Sequence, residues 1–172
     1  MSVTPEPRRR LVEWEDPAAL AAAFQRDGGL AMLQGIVTTS LPPAPMAALL
    51  ELTLVEAEPG RTVWATEPSE EHQNEIGLIH GGLACTLLDT ALGTTMVSTM
   101  APGDKAAGLN LNVSFLRPLR PGMGRIRAEG RIVQLGRRVA HAEADLTLEA
   151  TGELLARASS TFSLIREPPT AS

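Results

Sequence analysis

The sequence is poor in several residue types on which small proteins often depend. Cys85 is the one cysteine in 172 residues, so an internal disulfide and a cysteine-based zinc finger are both excluded. The net charge of −5 argues against strong attraction to nucleic acid or to an anionic membrane. Three phenylalanines, two tryptophans and no tyrosine indicate a pocket lined by aliphatic side chains, while leaving aromatic substrates open.

Long apolar runs are also scarce. The first 17 residues contain no apolar core of a secretory signal. The stretch from Gly81 to Ala101 has the length of a membrane span, but Asp89 lies near its middle and Ser or Thr recurs along it. Such a helix is typical of packing inside protein. We therefore expect a cytoplasmic protein with no stable membrane association.

Length and composition fit one globular domain behind an N-terminal extension. We predict a tail and helix over residues 1–40, the main domain over residues 41–166 and a disordered tail over residues 167–172. A helix is expected over Pro17 to Arg26, because Asp16-Pro17 is a good helix start, and it either stops at the following glycines or resumes through Leu33. A linker and one helical turn, Met46 to Leu50, follow.

The remaining pattern predicts an α+β fold. Glu51 to Thr66 has the alternation of a hairpin with its turn at Glu58-Pro59-Gly60. A long helix follows, from the Gly-Gly pair at 81–82 to about Met100. Period-two alternation then predicts four long strands, which begin near Leu109, Ile126, Val139 and Leu154. We expect the helix to lie across one face of an antiparallel sheet.

Asp89 is the only charged residue between Gly81 and Ala101. An ionised carboxylate in apolar packing is costly unless it is solvated, paired or used, so we expect a buried acid with a function. The alternatives are a carboxylate satisfied by Thr86 or Thr90, or a contact in a dimer. Backbone N–H groups at the helix start beside His80-Gly81-Gly82 are suited to polarising a carbonyl. An acid and such donors are a minimal set for attack on an acyl group.

Asn74, Gly77, His80-Gly81-Gly82 and Asp89 together resemble the motif of the hotdog-fold acyl-CoA thioesterases of the phenylacetate-degradation (PaaI) type. The resemblance implies an antiparallel sheet wrapped around a long central helix, a homodimer or dimer of dimers, and no cofactor or metal. It implies that the N–H near Gly81 polarises the thioester carbonyl and that Asp89 activates water or attacks directly. It also implies that Asn74 contacts the carbonyl or the water, against the alternative that it caps its loop. His80 is expected to orient the loop.

The spacing of Gly81 and Asp89 adds a constraint on assembly. Eight residues along one helix separate them by about 12 Å, at about 1.5 Å per residue. Both groups must lie within a few ångströms of the same carbonyl to act on it. We therefore expect Asp89 of one chain to face Gly81 of the other in an antiparallel pair of helices.

Four further residues are expected to bind substrate. Gly82 would let a ligand approach the backbone. Gly108 stands where many relatives carry Ser or Thr, which weakens the expectation of full family-like catalysis. Arg137 and Arg138 would contact the CoA phosphates, or else form a solvated hairpin end.

Two other functions compete with hydrolysis of an acyl-CoA. A non-catalytic acyl-CoA or lipid-binding module on the same fold is the main alternative, since a fold does not determine its activity. A hydratase ranks lowest, because no Asp and His pairing of that kind is seen. A metal site from His72 and His80 lacks a third ligand at helpful spacing.

Overall fold

The architecture is an antiparallel sheet with one long helix against its face. A computed structural model describes residues 7–166, so the predicted tail at 167–172 lies outside the described residues. The helices are α1 (Ala18–Asp27), α2 (Gly29–Val37), α3 (Pro45–Leu49) and α4 (Gly81–Val97). The strands are β1 (Thr53–Glu58), β2 (Arg61–Thr66), β3 (Lys105–Gly108), β4 (Asn112–Phe115), β5 (Ile126–Leu135), β6 (Val139–Leu148) and β7 (Leu154–Ile165).

The strand order places the two shortest strands at one edge of the sheet. It runs β1-β2-β5-β6-β7, and both β3 and β4 pair with the outer side of β7. Each of these pairings is antiparallel. The helix α4 packs on β5, β6 and β2, so the predicted α+β arrangement of a sheet around a long helix is confirmed.

Small residues on the inner face of the sheet let α4 lie close to it. Three of the four buried positions of β6 are the alanines 140, 142 and 144, and the fourth is Leu146, while His141 points to solvent. At Gly130 on β5 an added Cβ would lie 2.4 Å from Thr95 Oγ1 and 2.8 Å from the Ala91 carbonyl oxygen. The helix therefore packs directly against the backbone of β5, and its leucines fill the space on either side.

The long helix ends earlier than predicted, at Val97 rather than near Met100. The N–H groups of Thr99 and Met100 bond to carbonyls three residues back, at 3.0 Å each. The Ser98 hydroxyl also donates to the Thr95 carbonyl at 2.7 Å. These bonds tighten the last turn and close the helix before the turn at Pro102.

The strand predicted to begin near Leu109 is wrong as one continuous element, because it is divided between β3 and β4. Gly108 pairs with Phe162 and Asn112 pairs with Ser159. The chain therefore advances four residues from β3 to β4 while β7 advances only three. The side-chain oxygen of Asn110 accepts from the Thr161 N–H at 3.0 Å, in place of a backbone acceptor. One extra residue thereby bulges from the ladder.

Two helices precede the main domain, which agrees with the alternative that the helix resumes after the glycines. A glycine at position 28 with φ +82° separates α1 from α2, and α2 continues to Val37, beyond the predicted Leu33. At Gly29 an added Cβ would lie only 1.9 Å from the carbonyl oxygen of Val97. The absence of a side chain there lets α2 pack against the C-terminal end of α4.

Candidate active site

The N-terminus of α4 is organised by His80. Its Nδ1 accepts the Gly82 N–H at 2.8 Å, and the backbone N–H of His80 donates to the His72 carbonyl at 2.7 Å. An Nδ1 that accepts a hydrogen bond carries no proton, so the proton of the neutral ring lies on Nε2. This is the geometry of a helix-capping side chain that also orients the preceding loop.

These bonds leave one backbone donor at the helix start. The Gly82 N–H is used by His80, and the Leu83 N–H bonds to the His80 carbonyl at 3.0 Å. Within residues 7–166 the N–H of Gly81 has no hydrogen-bond acceptor. Gly81 lies on the wall of a cavity of about 300 Å³, together with residues 115–119. A carbonyl oxygen placed there would meet an unpaired N–H at the positive end of a 17-residue helix.

Asp89 is exposed, so the expectation that it is buried in this chain is wrong. The core face of α4 runs through Leu87, Leu88 and Ala91, which turns Asp89 to the opposite side. It is the one exposed residue of α4, and the described part of the chain offers its carboxylate no hydrogen bond or ion pair. The predicted alternative partner Thr86 instead donates to the Gly82 carbonyl at 3.0 Å.

The structure does not bring Asp89 and Gly81 together within one chain. Both lie on α4, a continuous helix, so the spacing of about 12 Å along its axis stands. Small residues flank Asp89 at one turn in each direction, Cys85 and Gly93, and an added Cβ at Gly93 would meet no atom within 4 Å. The outer face of α4 therefore allows another group to approach the carboxylate closely. Burial raises the pKa of the Cys85 thiol, which disfavours a thiolate nucleophile.

Asn74 holds the loop that leads to the helix. Its half-buried side chain accepts the N–H groups of Ile76 and Leu78 through Oδ1, at 3.1 Å each. Its backbone closes the same loop, by accepting from Gly77 and donating to Leu78. The amide oxygen is thus engaged in loop capping, while the side-chain NH2 is still available as a donor.

Arg137 and Arg138 are exposed at the turn between β5 and β6. Among the described residues neither has an ion-pair partner, whereas Arg117, another exposed arginine, is paired with Glu153 at 2.8 Å. The Leu164 N–H bonds to the Arg138 carbonyl, and Leu164 pairs on its other side with Ala106 of β3. The arginine turn and the β3 edge therefore lie at the same end of the sheet, about two strand spacings apart, or about 10 Å.

Gly108 ends β3 at that edge, and it is exposed. An added Cβ would lie 3.7 Å from the nearest atom of the Phe162 ring, which is an ordinary contact. The position therefore has room for the hydroxyl side chain that it lacks.

Sequence reasoning missed Phe115 as a site residue and weighed His72 only as a metal ligand. The Phe115 ring lies against Gly81, where an added Cβ would be 3.3 Å from two ring atoms. His72 is buried, with Nδ1 accepting the Ser69 N–H at 3.1 Å, and its Nε2 has no partner among the described residues. The capping pattern from Ser69 to His72 was the available signal for His72.

Within residues 7–166 no cluster of three or more His, Cys, Asp or Glu side chains is arranged to hold a metal ion. In the same range no helix combines the length and the apolarity needed to cross a bilayer.

The sequence is similar to those of known thioesterases. Residues 76–155 match the model of the thioesterase superfamily. Acyl-coenzyme A thioesterase 13 of Homo sapiens is 33% identical over 107 residues, which cover 62% of this chain and 75% of that protein.

Solved structures extend the likeness. A variant of the phenylacetic acid degradation protein PaaI from Thermus thermophilus is 29% identical with a TM-score of 0.63, covering 72% of this chain and all of that one (100%). Thioesterase superfamily member 2 of zebra fish has a TM-score of 0.65 at 24% identity, over 78% of this chain and 96% of that one, and supports the fold alone.

Proposed function

The chain belongs to the PaaI-like thioesterases of the hotdog fold, and on that premise we propose that it hydrolyses acyl-CoA thioesters to the free acid and CoA. Membership of this family makes it a thioesterase, and it favours an enzyme over the non-catalytic binding module. The nature of the thioester and the roles of the residues are the parts that we propose.

The unpaired N–H of Gly81 carries the proposal. It stands at the start of α4, in a cavity, while His80 occupies the neighbouring Gly82 N–H. In our proposal the thioester carbonyl oxygen accepts this N–H, and the negative charge that develops on the oxygen during attack strengthens the bond. A donor aimed at developing charge lowers the barrier more than it tightens ground-state binding. The NH2 of Asn74 is a second donor for the carbonyl or for the attacking water.

In this mechanism Asp89 of the partner subunit is the general base or the nucleophile for attack on the thioester carbonyl. Either its carboxylate removes a proton from water that adds to the carbonyl, or it adds to the carbonyl itself and water then cleaves the resulting anhydride. In both routes the C–S bond breaks and the CoA sulfur leaves as a thiolate that takes up a proton. The exposure of Asp89 supports this role, because a carboxylate on the outer face of α4 is available to a substrate held by another chain.

The edge of the sheet supports the dimer. β3 and β4 pair only with β7 along the described chain, so their outer backbone groups are left for another strand. Apolar side chains along this edge are exposed, namely Leu109 at 62%, Phe115 at 56% and Leu116 at 51%. Because Phe115 also lies against Gly81, a partner bound to this edge would approach the start of α4.

The phosphates of CoA are assigned to Arg137 and Arg138. These cations lack ion-pair partners within residues 7–166 and lie at the β3 end of the sheet. An acidic protein needs such a local basic group to hold a polyphosphate. Guanidinium groups bind phosphate oxygens with paired hydrogen bonds.

The first experiment measures hydrolysis of a panel of acyl-CoAs with a thiol reagent, by wild type and by Asp89→Asn. The substitution keeps the size of the side chain and removes the base or nucleophile. We expect kcat to fall at least ~100-fold, with a smaller change in KM. Glu13→Gln, the same acid-to-amide change at an exposed residue of the N-terminal extension, serves as a surface control. Near-normal turnover of a good substrate by Asp89→Asn would exclude the assignment.

A second experiment tests whether the site is shared between chains. An Asp89→Asn chain is paired with a Gly81→Pro chain, and the heterodimer is purified with two different tags. One of its two sites then has both native groups, so it should show about half the activity of a wild-type dimer, although each parent retains about 1% or less of that activity. Heterodimers without activity, or a fully active monomer, would contradict the shared site.

A further inference from the structure

A large apolar cavity lies between the N-terminal helices and α4. Its volume is about 520 Å³, and its wall includes Leu20, Phe24, Met32, Ile36, Met46 and Trp64. This size falls within the range of ligand sites, which runs from roughly 300 to 1,000 Å³. Helices α1 and α2 form much of the wall, and both precede residues 76–155, the part of the chain that matches the family.

Hydrogen bonds and close packing hold the wall in place. The Trp64 indole N–H donates to Thr94 Oγ1 at 2.8 Å, and that hydroxyl donates to the Thr90 carbonyl at 2.7 Å. Trp64 is only 2% exposed. On the other side Gly29 brings α2 into backbone contact with Val97. A wall fixed in this way is a preformed site rather than a gap that closes when a side chain rotates.

The cavity lies against α4, the helix that carries Gly81 and Asp89. Thr90, Thr94 and Val97 line it from one face of α4, and Thr90 directly follows Asp89. Met46 lies both on this wall and on the wall of a neighbouring cavity of about 420 Å³, which reaches His80 and Gly82. The two cavities are therefore neighbours that share Met46 as a wall residue.

We propose that this cavity receives a linear aliphatic acyl chain of the thioester, and that α1 and α2 determine how long a chain is accepted. This inference rests on the proposed function for its substrate, and on the apolar wall for its chemistry. A methylene group is close in size to a water molecule, which takes about 30 Å³ in the liquid, so the cavity has room for on the order of ten methylene groups. Each buried methylene should raise kcat/KM by a factor of about 4, the equivalent of about 0.8 kcal/mol, until the cavity is full.

The kinetic test compares acyl-CoAs from butyryl to palmitoyl in wild type and in two matched variants. Ala21 and Ala22 are adjacent, exposed alanines of α1, but only Ala21 lines the cavity. We expect Ala21→Phe to lower kcat/KM for decanoyl-CoA at least ~10-fold more than for butyryl-CoA, as expected from the loss of a few methylene sites. Ala22→Phe should retain the wild-type dependence on chain length.

A binding test is independent of catalysis. In a Trp14→Phe background Trp64 is the remaining tryptophan, and bromodecanol bound in the cavity should quench its fluorescence by contact. The probe is neutral because Lys105, also on the wall, would attract a carboxylate. We expect saturable quenching that Ala21→Phe weakens at least ~5-fold and Ala22→Phe does not, since the added ring takes the place of methylene groups.

The two tests separate failure of the inference from failure of the proposed function. Saturable quenching in a protein that hydrolyses none of the acyl-CoAs would support the cavity and overturn the reaction. Hydrolysis with the same chain-length dependence in Ala21→Phe and wild type, together with equal quenching, would overturn the cavity assignment alone. Stronger turnover of aromatic than of linear acyl groups, with no quenching, would also overturn it.

Discussion

Replacing Gly81 by proline would remove one hydrogen atom that the proposed mechanism needs. Proline has no N–H, and it is well tolerated at the first position of a helix. The preceding His80 has φ −63° and ψ 133°, which is the extended conformation favoured before proline, and Gly81 is not among the glycines with positive φ. The Gly82 N–H still bonds to His80 Nδ1, so the cap of α4 is preserved.

The expected loss follows from the role of that donor. Removing one hydrogen-bond donor to a developing oxyanion costs about 100- to 1,000-fold in kcat. We expect Gly81→Pro to fall in this range in a thiol-release assay with a good acyl-CoA, with the melting temperature nearly unchanged. KM should change much less, because the bond is strongest in the transition state.

Gly81→Ala is the matched control. It keeps the N–H and adds the Cβ that would lie 3.3 Å from the Phe115 ring. Because that ring is 56% exposed, it can shift to relieve the contact, so we expect a loss of less than about 10-fold. Equal losses in the alanine and proline variants would show that crowding and not the N–H is responsible. Wild-type kcat in Gly81→Pro would refute the assignment of this donor.

Two further predictions concern charged side chains. Replacing both Arg137 and Arg138 by Glu should raise KM for acyl-CoA, while KM for a short thioester without the nucleotide should change little. In the wild-type enzyme, KM for acyl-CoA should rise with salt concentration. Equal effects of the double substitution on both substrates would show that the arginines serve folding. The Arg157 guanidinium donates to the Asp145 carboxylate at 2.6 and 2.9 Å and lowers the pKa of that carboxyl. The ion pair therefore stabilises the fold fully above the unfolded pKa of Asp, about 3.9. This stabilisation is lost as the pH falls through the lower pKa that Asp145 has in the folded protein. Arg157→Gln should therefore lower the melting temperature slightly at pH 7 and progressively less below about pH 4, and a difference that stays constant down to pH 2 would contradict this account.

Much of the fold could be predicted because its signals are local. The turn at Pro59-Gly60 sets the first hairpin, and the alternation of residues after Ile126 marks the three long strands. The start of α4 was also local, since two glycines follow a residue that can cap. The end of α4 and the break at Asn110 were missed because both depend on hydrogen bonds that no period in the sequence reveals.

The candidate site could also be predicted only in part from the sequence. The sequence alone determined which residues are chemically capable: a lone acid in an apolar helix, a glycine pair at its start, and two adjacent arginines at a turn. Only the tertiary structure decided their surroundings. The packing of α4 on the sheet turned Asp89 outward, and the ring of His80 took the Gly82 N–H and left that of Gly81 unpaired. Exposure and pairing depend on what the rest of the chain brings into contact, so they follow from packing and not from the order of residues along one helix.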